Sequence, residues 1–206
     1  MDFIGTHDEL RSIYKTPEPN AGSIRKELRK LDGHCRSFIA RSPFVLIGSS
    51  DGRGNADVTP KGDRPGFVAI LDDTTIAIPD RPGNNRLDTW ENIVSHPAVG
   101  LLFLIPGMNE TLRINGEARI TTDGQLRERL AVDGKAPVTV AVVSVKAAYM
   151  HCAKAFMRSE LWKPESWRDR ASMPTLGQIL KDQLALADSV EKTDAWLADA
   201  YRNSMW

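Results

Sequence analysis

Two stretches of this chain carry side chains suited to holding an anion. The first runs from Thr75 to Val94 and reads TIAIPDRPGNNRLDTWENIV. It opens as a strand, Thr75-Ile76-Ala77-Ile78, breaks at Pro79-Asp80-Arg81-Pro82-Gly83, and is predicted to enter a helix through Asn84-Asn85-Arg86. A helix start offers unpaired backbone N–H groups and a positive dipole end. An arginine there adds a bidentate donor. The combination is a candidate phosphate seat. The plainer reading is a strand–loop–helix connection capped by Asn, with Arg86 in solvent. The second stretch is Val58-Thr59-Pro60-Lys61-Gly62-Asp63, where a strand ends in a hydroxyl residue, a proline, a cation and a glycine. Proline within a sheet belongs at an edge or an end, so backbone N–H groups beyond Pro60 are placed to meet a ligand or, equally, water in a hairpin loop. Arg113, on the polar side of its predicted strand, is either surface charge or a third cation reaching a cleft.

Other patterns point to different chemistry and fail on context. Gly48-Ser49-Ser50-Asp51-Gly52 matches the G-x-S-x-G elbow of serine hydrolases, but that elbow requires a helix directly after the serine. Here a hairpin turn, Asp51-Gly52-Arg53-Gly54-Asn55, follows. Gly52 and Gly54 do not extend into a dinucleotide fingerprint, and there is no P-loop. His34-Cys35 and His151-Cys152 suggest a metal, yet adjacent strand residues point to opposite faces and the pairs lie far apart in sequence. No metal site is expected. The carboxylates are spread singly, so no acid–base pair and no catalytic residue can be named from spacing alone.

The totals suit one globular domain of ordinary soluble composition. The 206 residues carry 27 Lys and Arg against 27 Asp and Glu. That balance argues against a nucleic-acid or anionic-membrane surface. No apolar run approaches the length of a membrane span, and the N-terminal segment lacks an apolar signal core. Two cysteines define no disulfide framework. A cytoplasmic protein with reduced thiols is expected.

The elements that must position these residues form one domain over 1–206. Thr6-His7-Asp8-Glu9 has capping-box spacing and starts a helix reaching about Tyr14. Ser23 is predicted to open a second helix with Ile24, Leu28 and Leu31 on one face and Gly33 as its stop. His34–Ala40 adds a helical turn with Phe38 and Ile39 turned inward. Strands follow at 44–48, 56–60, 67–71 and 74–78, joined by hairpin-like turns. A helix is predicted from Asn85 to Ser95, then strands at 98–105 and 111–121. In the latter, Leu112, Ile114, Gly116, Ala118 and Ile120 face one side and Arg113, Asn115, Glu117 and Arg119 the other. Asp123 caps a short helix, and a last strand runs from Val138 to Val145 or on to His151. The helices within 6–40 and 152–206 are expected to pack on this β unit. Sequential antiparallel strands of this kind build a barrel or sandwich rather than a βαβ sheet.

The order of these pieces resembles the pyridoxamine 5′-phosphate oxidase-like, FMN-binding split-barrel superfamily, in particular its bacterial oxidase-related flavoproteins. The residues that carry the likeness are Ala56–Asp63, Gly66-Phe67-Val68, Thr75–Pro79, Asn84-Asn85-Arg86-Leu87, Asn92-Ile93 to Pro97, Val99–Phe103 and Leu112–Ala118. Met157-Arg158-Ser159-Glu160-Leu161-Trp162 matches more loosely. The resemblance implies a mainly β, antiparallel split barrel of six to eight strands with flanking helices, and a homodimer with FMN at the interface. It implies that Val58, Thr59, Pro60, Lys61 and Gly62 line the flavin ring, with Ile78 and Pro79 on the adjoining strand. Asn84, Asn85 and Arg86 would grip the phosphate, and Arg113, Arg158 and Trp162 would reach the cofactor. Leu87 stands where the family often has a second cation, a role left to Lys61 or Arg81. The chain ends Arg202-Asn203-Ser204-Met205-Trp206 rather than in the Arg-Leu-x-Pro tail of the true oxidases, which points away from pyridoxal phosphate synthesis. The activity implied is an FMN-dependent oxidoreductase acting on a small molecule. A non-catalytic FMN carrier or sensor is the alternative.

Overall fold

The structure, a computed structural model, describes residues 1–205 and is built on one seven-stranded antiparallel sheet. In chain order the strands are β1 (Phe44–Ser50), β2 (Ala56–Gly62), β3 (Ala69–Ile70), β4 (Thr75–Pro79), β5 (Ala98–Leu104), β6 (Thr111–Thr121) and β7 (Val140–His151). Their spatial order is β2-β1-β5-β6-β7-β4-β3. The sheet is open at β2 and β3, as a split barrel requires, and the expected six to eight strands are seven. Before the sheet come helices α1 (His7–Ile13), α2 (Gly22–Arg25) and α3 (Gly33–Arg41). Helix α4 (Asp88–Ser95) lies between β4 and β5, and α5 (Gly124–Arg129) between β6 and β7. Helices α6 (Lys154–Ser159), α7 (Leu176–Leu184) and α8 (Val190–Ser204) complete the chain.

Alternation in the sequence explains the core. Every second residue of β1 and β5 is buried, as are Leu112, Ile114, Gly116 and Ala118 of β6. These side chains meet Phe38 and Ile39 of α3 and Trp90 and Ile93 of α4 in one apolar cluster. A smaller cluster of Ala77, Leu130 and Val140, joined by Leu126, lies under α5. Strand β4 therefore has Ile76 and Ile78 in one cluster and Ala77 in the other, and is covered on both faces.

Several boundaries differ from the sequence expectation, each for a local reason. The capping box of α1 forms as expected, Thr6 Oγ1 accepting from the Glu9 N–H at 3.2 Å. The helix predicted from Ser23 to Gly33 does not extend past Arg25. Leu28 instead exchanges two backbone hydrogen bonds with Ala148, at 2.9 and 2.8 Å, and the Leu31 N–H donates to the Asp73 carbonyl at 2.7 Å. The sheet's need for partners outweighs a short helix that buries little. Gly33 begins α3 rather than ending a helix, because Asp32 caps it by accepting from the Cys35 N–H at 2.8 Å. The strand expected at 67–71 shrinks to Ala69–Ile70. The Asp51–Asn55 hairpin forms as read, with Gly52 and Gly54 at positive φ and Ser50 at the end of a strand, not before a helix.

The longest pairing, β6 with β7, contains a register shift between Asn115 and Gly116, where Lys146 has no opposite number. At Gly116 an added Cβ would run into the Ser144 carbonyl oxygen and approach the Val143 side chain at 3.0 Å. We expect Gly116→Ala to lower stability by about 1–3 kcal/mol, seen as a lower urea midpoint with an unchanged slope. A second expectation concerns the thiols. Cys35 is buried and Cys152 exposed. Burial, then the Asp32 carboxylate, pushes the Cys35 thiol up to about 11. Its neutral form favours the folded state at every pH below the ordinary thiol value, and this contribution is lost as pH rises from about 9 through about 11. Native protein at pH 8 should therefore titrate one thiol with Ellman's reagent, and unfolded protein two.

Candidate functional site

Both anion-suited stretches meet at one cleft of about 440 Å³, a volume typical of small-molecule sites. One wall is the end of β2. This is an edge strand in which Asp57, Thr59 and Lys61 turn partly inward while Val58, Pro60 and Gly62 are exposed. The second wall is the loop leaving β4, from Pro79 to Leu87, and the floor is the first turn of α4 with Thr89 and Trp90. Phe67 and Val138 close the sides.

The loop geometry corrects one reading of the sequence. The helix expected to begin at Asn85 begins at Asp88, with Leu87 as its N-cap and no capping side chain. Asn84 Oδ1 accepts from the Arg86 N–H at 3.0 Å, and Asn85 sits at φ 56°. A side-chain turn and a left-handed residue compete with helical geometry, which is the usual use of asparagine. Arg86 therefore stands on the loop before the helix. The acidic first-turn position belongs to Asp88, whose Oδ2 accepts from Arg86 Nε at 2.6 Å. That bond and charge raise the already high pKa of Arg86, so it stays cationic at any working pH. At 77% exposure the guanidinium remains open to solvent and to a ligand.

Lys61 is held more closely. Its Nζ lies 3.1 Å from Asp80 Oδ1 and 4.2 Å from the centre of the Trp90 ring, so the ammonium rests between a carboxylate and an indole face. The indole is fixed in turn, its Nε1 donating to Thr139 Oγ1 at 2.8 Å. Thr89 donates to Asp57 Oδ2 at 2.6 Å and ties α4 to β2. Asn92 donates to Ser49 Oγ at 3.1 Å and ties the same helix to β1. Arg81 also borders the cleft, but its Nε is bonded to Asp63 Oδ2 at 2.6 Å and its Nη1 to the Leu130 carbonyl at 2.9 Å.

The cleft thus gathers Thr59, Pro60, Lys61, Gly62, Pro79, Arg81, Asn84, Asn85 and Arg86 from the residues singled out in the sequence. Val58 faces away at 65% exposure, and Ile78 is fully buried in the core. Arg113, Arg158 and Trp162 lie elsewhere on the same chain. Arg113 stacks over Tyr149, the Arg158 Nε donates to the Lys154 carbonyl, and the Trp162 Nε1 donates to the Met108 carbonyl at 2.7 Å. Sequence reading missed Asp80 and Trp90 as cleft residues. The signal for Trp90 was present: it sits one helical turn below Ile93 and Val94 on the apolar stripe, where only folding shows that its polar edge faces Thr139. Among the described residues no cluster of His, Cys, Asp and Glu is arranged to hold a metal ion, and no helix is long and apolar enough to cross a membrane.

Fold and cleft together describe a split-barrel protein with a cleft at the edge of its sheet. The sequence model of pyridoxamine 5′-phosphate oxidase matches residues 31–152, more than half of the chain. The chain belongs to that family. Among curated proteins no match is found. Solved structures similar to it include a putative pyridoxamine 5′-phosphate oxidase from Lactobacillus delbrueckii, 19% identical over 60% of this chain and 98% of that one, with a TM-score of 0.49. HupZ of Group A Streptococcus is 16% identical over 58% and 93% of the two chains, with a TM-score of 0.48. An FMN-binding protein from Syntrophomonas wolfei is 17% identical over 57% and 83%, with a TM-score of 0.45.

The Lys61–Asp80 pair is only about one-fifth exposed on each side, so it should be measurable where a fully solvated pair is not. A double-mutant cycle of Lys61→Met and Asp80→Asn, read by urea unfolding, is expected to give a coupling of about 1 kcal/mol.

Proposed function

We propose that this protein binds FMN in the cleft between β2 and the 79–87 loop, as a homodimer, and works as an FMN-dependent oxidoreductase on a small organic molecule. The observation that carries the reading is the convergence of Arg86, Asn84, Asn85 and Lys61 on one cleft that also offers the flat apolar surfaces of Pro60, Pro79 and Trp90. Family membership supports the same ligand. Bound there, FMN would supply the hydride and electron transfer that no protein side chain performs.

The chain's own residues bind and orient. Arg86, poised on an exposed loop, takes the terminal phosphate by charge-assisted hydrogen bonds, exchanging its contact with Asp88. Lys61 supplies the second positive charge that Leu87 does not. Trp90 and the two prolines exclude water from the ring. Arg113, Arg158 and Trp162, which do not line the cleft of their own chain, would complete the site from the second protomer. The exposed apolar side chain of Val138 at the rim of the cleft favours a covered face of that kind.

Protein purified without added cofactor should show a flavin absorbance spectrum, or should quench FMN fluorescence on titration. Absence of uptake at micromolar FMN would sink the proposal. Arg86→Ala is expected to weaken FMN by about 1.5–3 kcal/mol and to leave riboflavin, which lacks the phosphate, nearly unchanged. Equal losses for both ligands would remove Arg86 from the phosphate site. Bound flavin that a nicotinamide donor reduces and an acceptor reoxidises marks an enzyme. Flavin that binds and never turns over marks a carrier.

A further inference from the structure

Three loops meet at one buried ion pair. The Asp63 carboxylate, just past β2, is 1% exposed and its partner Arg81, just past β4, is 16% exposed. Asp63 Oδ2 accepts from Arg81 Nε at 2.6 Å, and Asp63 Oδ1 accepts from the Arg64 N–H at 2.5 Å. The Arg81 Nη1 donates to the Leu130 carbonyl at the end of α5. Arg64 Nη2 reaches Asp133 Oδ2 at 3.2 Å and ties the same two loops again at the surface.

We infer that Arg81 is a positioning residue rather than a phosphate ligand, and that the Asp63–Arg81–Leu130 clamp, with the neighbouring Lys61–Asp80 pair, fixes the loop that carries Arg86 against β2. Four residues separate Arg81 from Arg86, and the segment between them has no regular secondary structure. Its one internal side-chain bond described is the Asn84 turn. The place of Arg86 relative to Lys61 therefore depends on where the loop is pinned: Asp80 is held by Lys61 and by the Thr139 carbonyl, and Arg81 adds the last anchor before the free segment. An arginine committed through Nε to a buried carboxylate and through Nη1 to a carbonyl is poorly suited to release both on ligand binding, because removing either partner strands a buried charge. Arg86, whose exposed pair with Asp88 is easily exchanged, is the group suited to a ligand. The inference rests on the FMN reading for its functional consequence and on the clamp geometry alone for its structural one.

Asp63→Asn separates the possibilities by sign. Were Arg81 a direct phosphate ligand, neutralising its competitor Asp63 would free it and tighten FMN binding. As a positioning pair, the same change loosens the loop, so the FMN-to-riboflavin preference should fall by about tenfold. Arg81→Lys, which keeps the charge and loses the fork, should do the same. Amide hydrogen exchange on the ligand-free protein supplies the second readout. The Asp80 and Arg86 amides, which flank Arg81 and donate to the Thr139 carbonyl and to Asn84 Oδ1, should exchange faster in both variants while β5 and β6 keep their protection. Tighter or unchanged FMN binding in Asp63→Asn, or unchanged exchange at the Asp80 and Arg86 amides, would overturn the inference. Wild-type protein that takes up no FMN would overturn the cofactor reading instead, and the exchange result would still decide the clamp. Retained protection in β5 and β6 shows that the variants are folded.

Discussion

Strand β4 is five residues long, yet it is held on both edges by backbone pairing and on both faces by apolar packing. Ile76 and Ile78 are withdrawn completely from water, and Ala77 fills the second cluster under α5. Burying side chains of this size is worth roughly 1.5–3 kcal/mol each, so the strand cannot slip by one residue without turning both isoleucines the wrong way. The position of Pro79 follows from that constraint. So does the point at which the chain leaves the sheet toward Lys61 and Trp90. The cleft exists because a rigid strand ends beside an edge strand, with α4 laid across the gap.

The charges of the site follow a second rule. Each of the three cations bordering the cleft is matched to a carboxylate: Lys61 to Asp80, Arg81 to Asp63 and Arg86 to Asp88. The pairs differ in what surrounds them. Asp63 is sealed from water, Asp80 is partly covered, and the Arg86–Asp88 pair stands in solvent. Attraction in a buried pair is weakly screened, and breaking it leaves a stranded charge. An exposed pair is exchanged at little cost. A graded set of this kind divides labour within one cleft: the inner pair holds the backbone, and the outer cation is available to an anion.

Much of the fold could be read from residue order. The alternation of Thr111–Thr121, the Asp51–Asn55 hairpin, the inward Phe38 and Ile39, and the Asp123 cap all depend on nearest neighbours along the chain, and all appear in the structure. The failures share a cause. Leu28 and Leu31 have helical spacing, but the open edge of the sheet near Ala148 claims Leu28 through paired backbone hydrogen bonds. Asn85 looked like a helix entry, but the Asn84 side chain captured the Arg86 N–H first and delayed the helix to Asp88. In both places a competitor for backbone hydrogen bonds decided the outcome, and local periodicity carries no record of such competitors.

The same division holds for the candidate site. By itself the sequence named the cations suited to an anion, Lys61, Arg81, Arg86 and Arg113, because residue type is a local property; it ended the strand at Pro60, whereas pairing with β1 carries β2 through Lys61 to Gly62. Family resemblance, itself a matter of ordered short motifs, determined the barrel. Only the tertiary structure decided that Lys61 rests on Trp90, that Arg81 turns to the buried Asp63, and that Arg113, Arg158 and Trp162 stand apart from the cleft of their own chain. Those facts depend on which of several nearby carboxylates and rings each long, flexible cation finds. That choice is made by burial and distance across residues far apart in sequence, and it is fixed only when β2, β4 and α4 have been packed together.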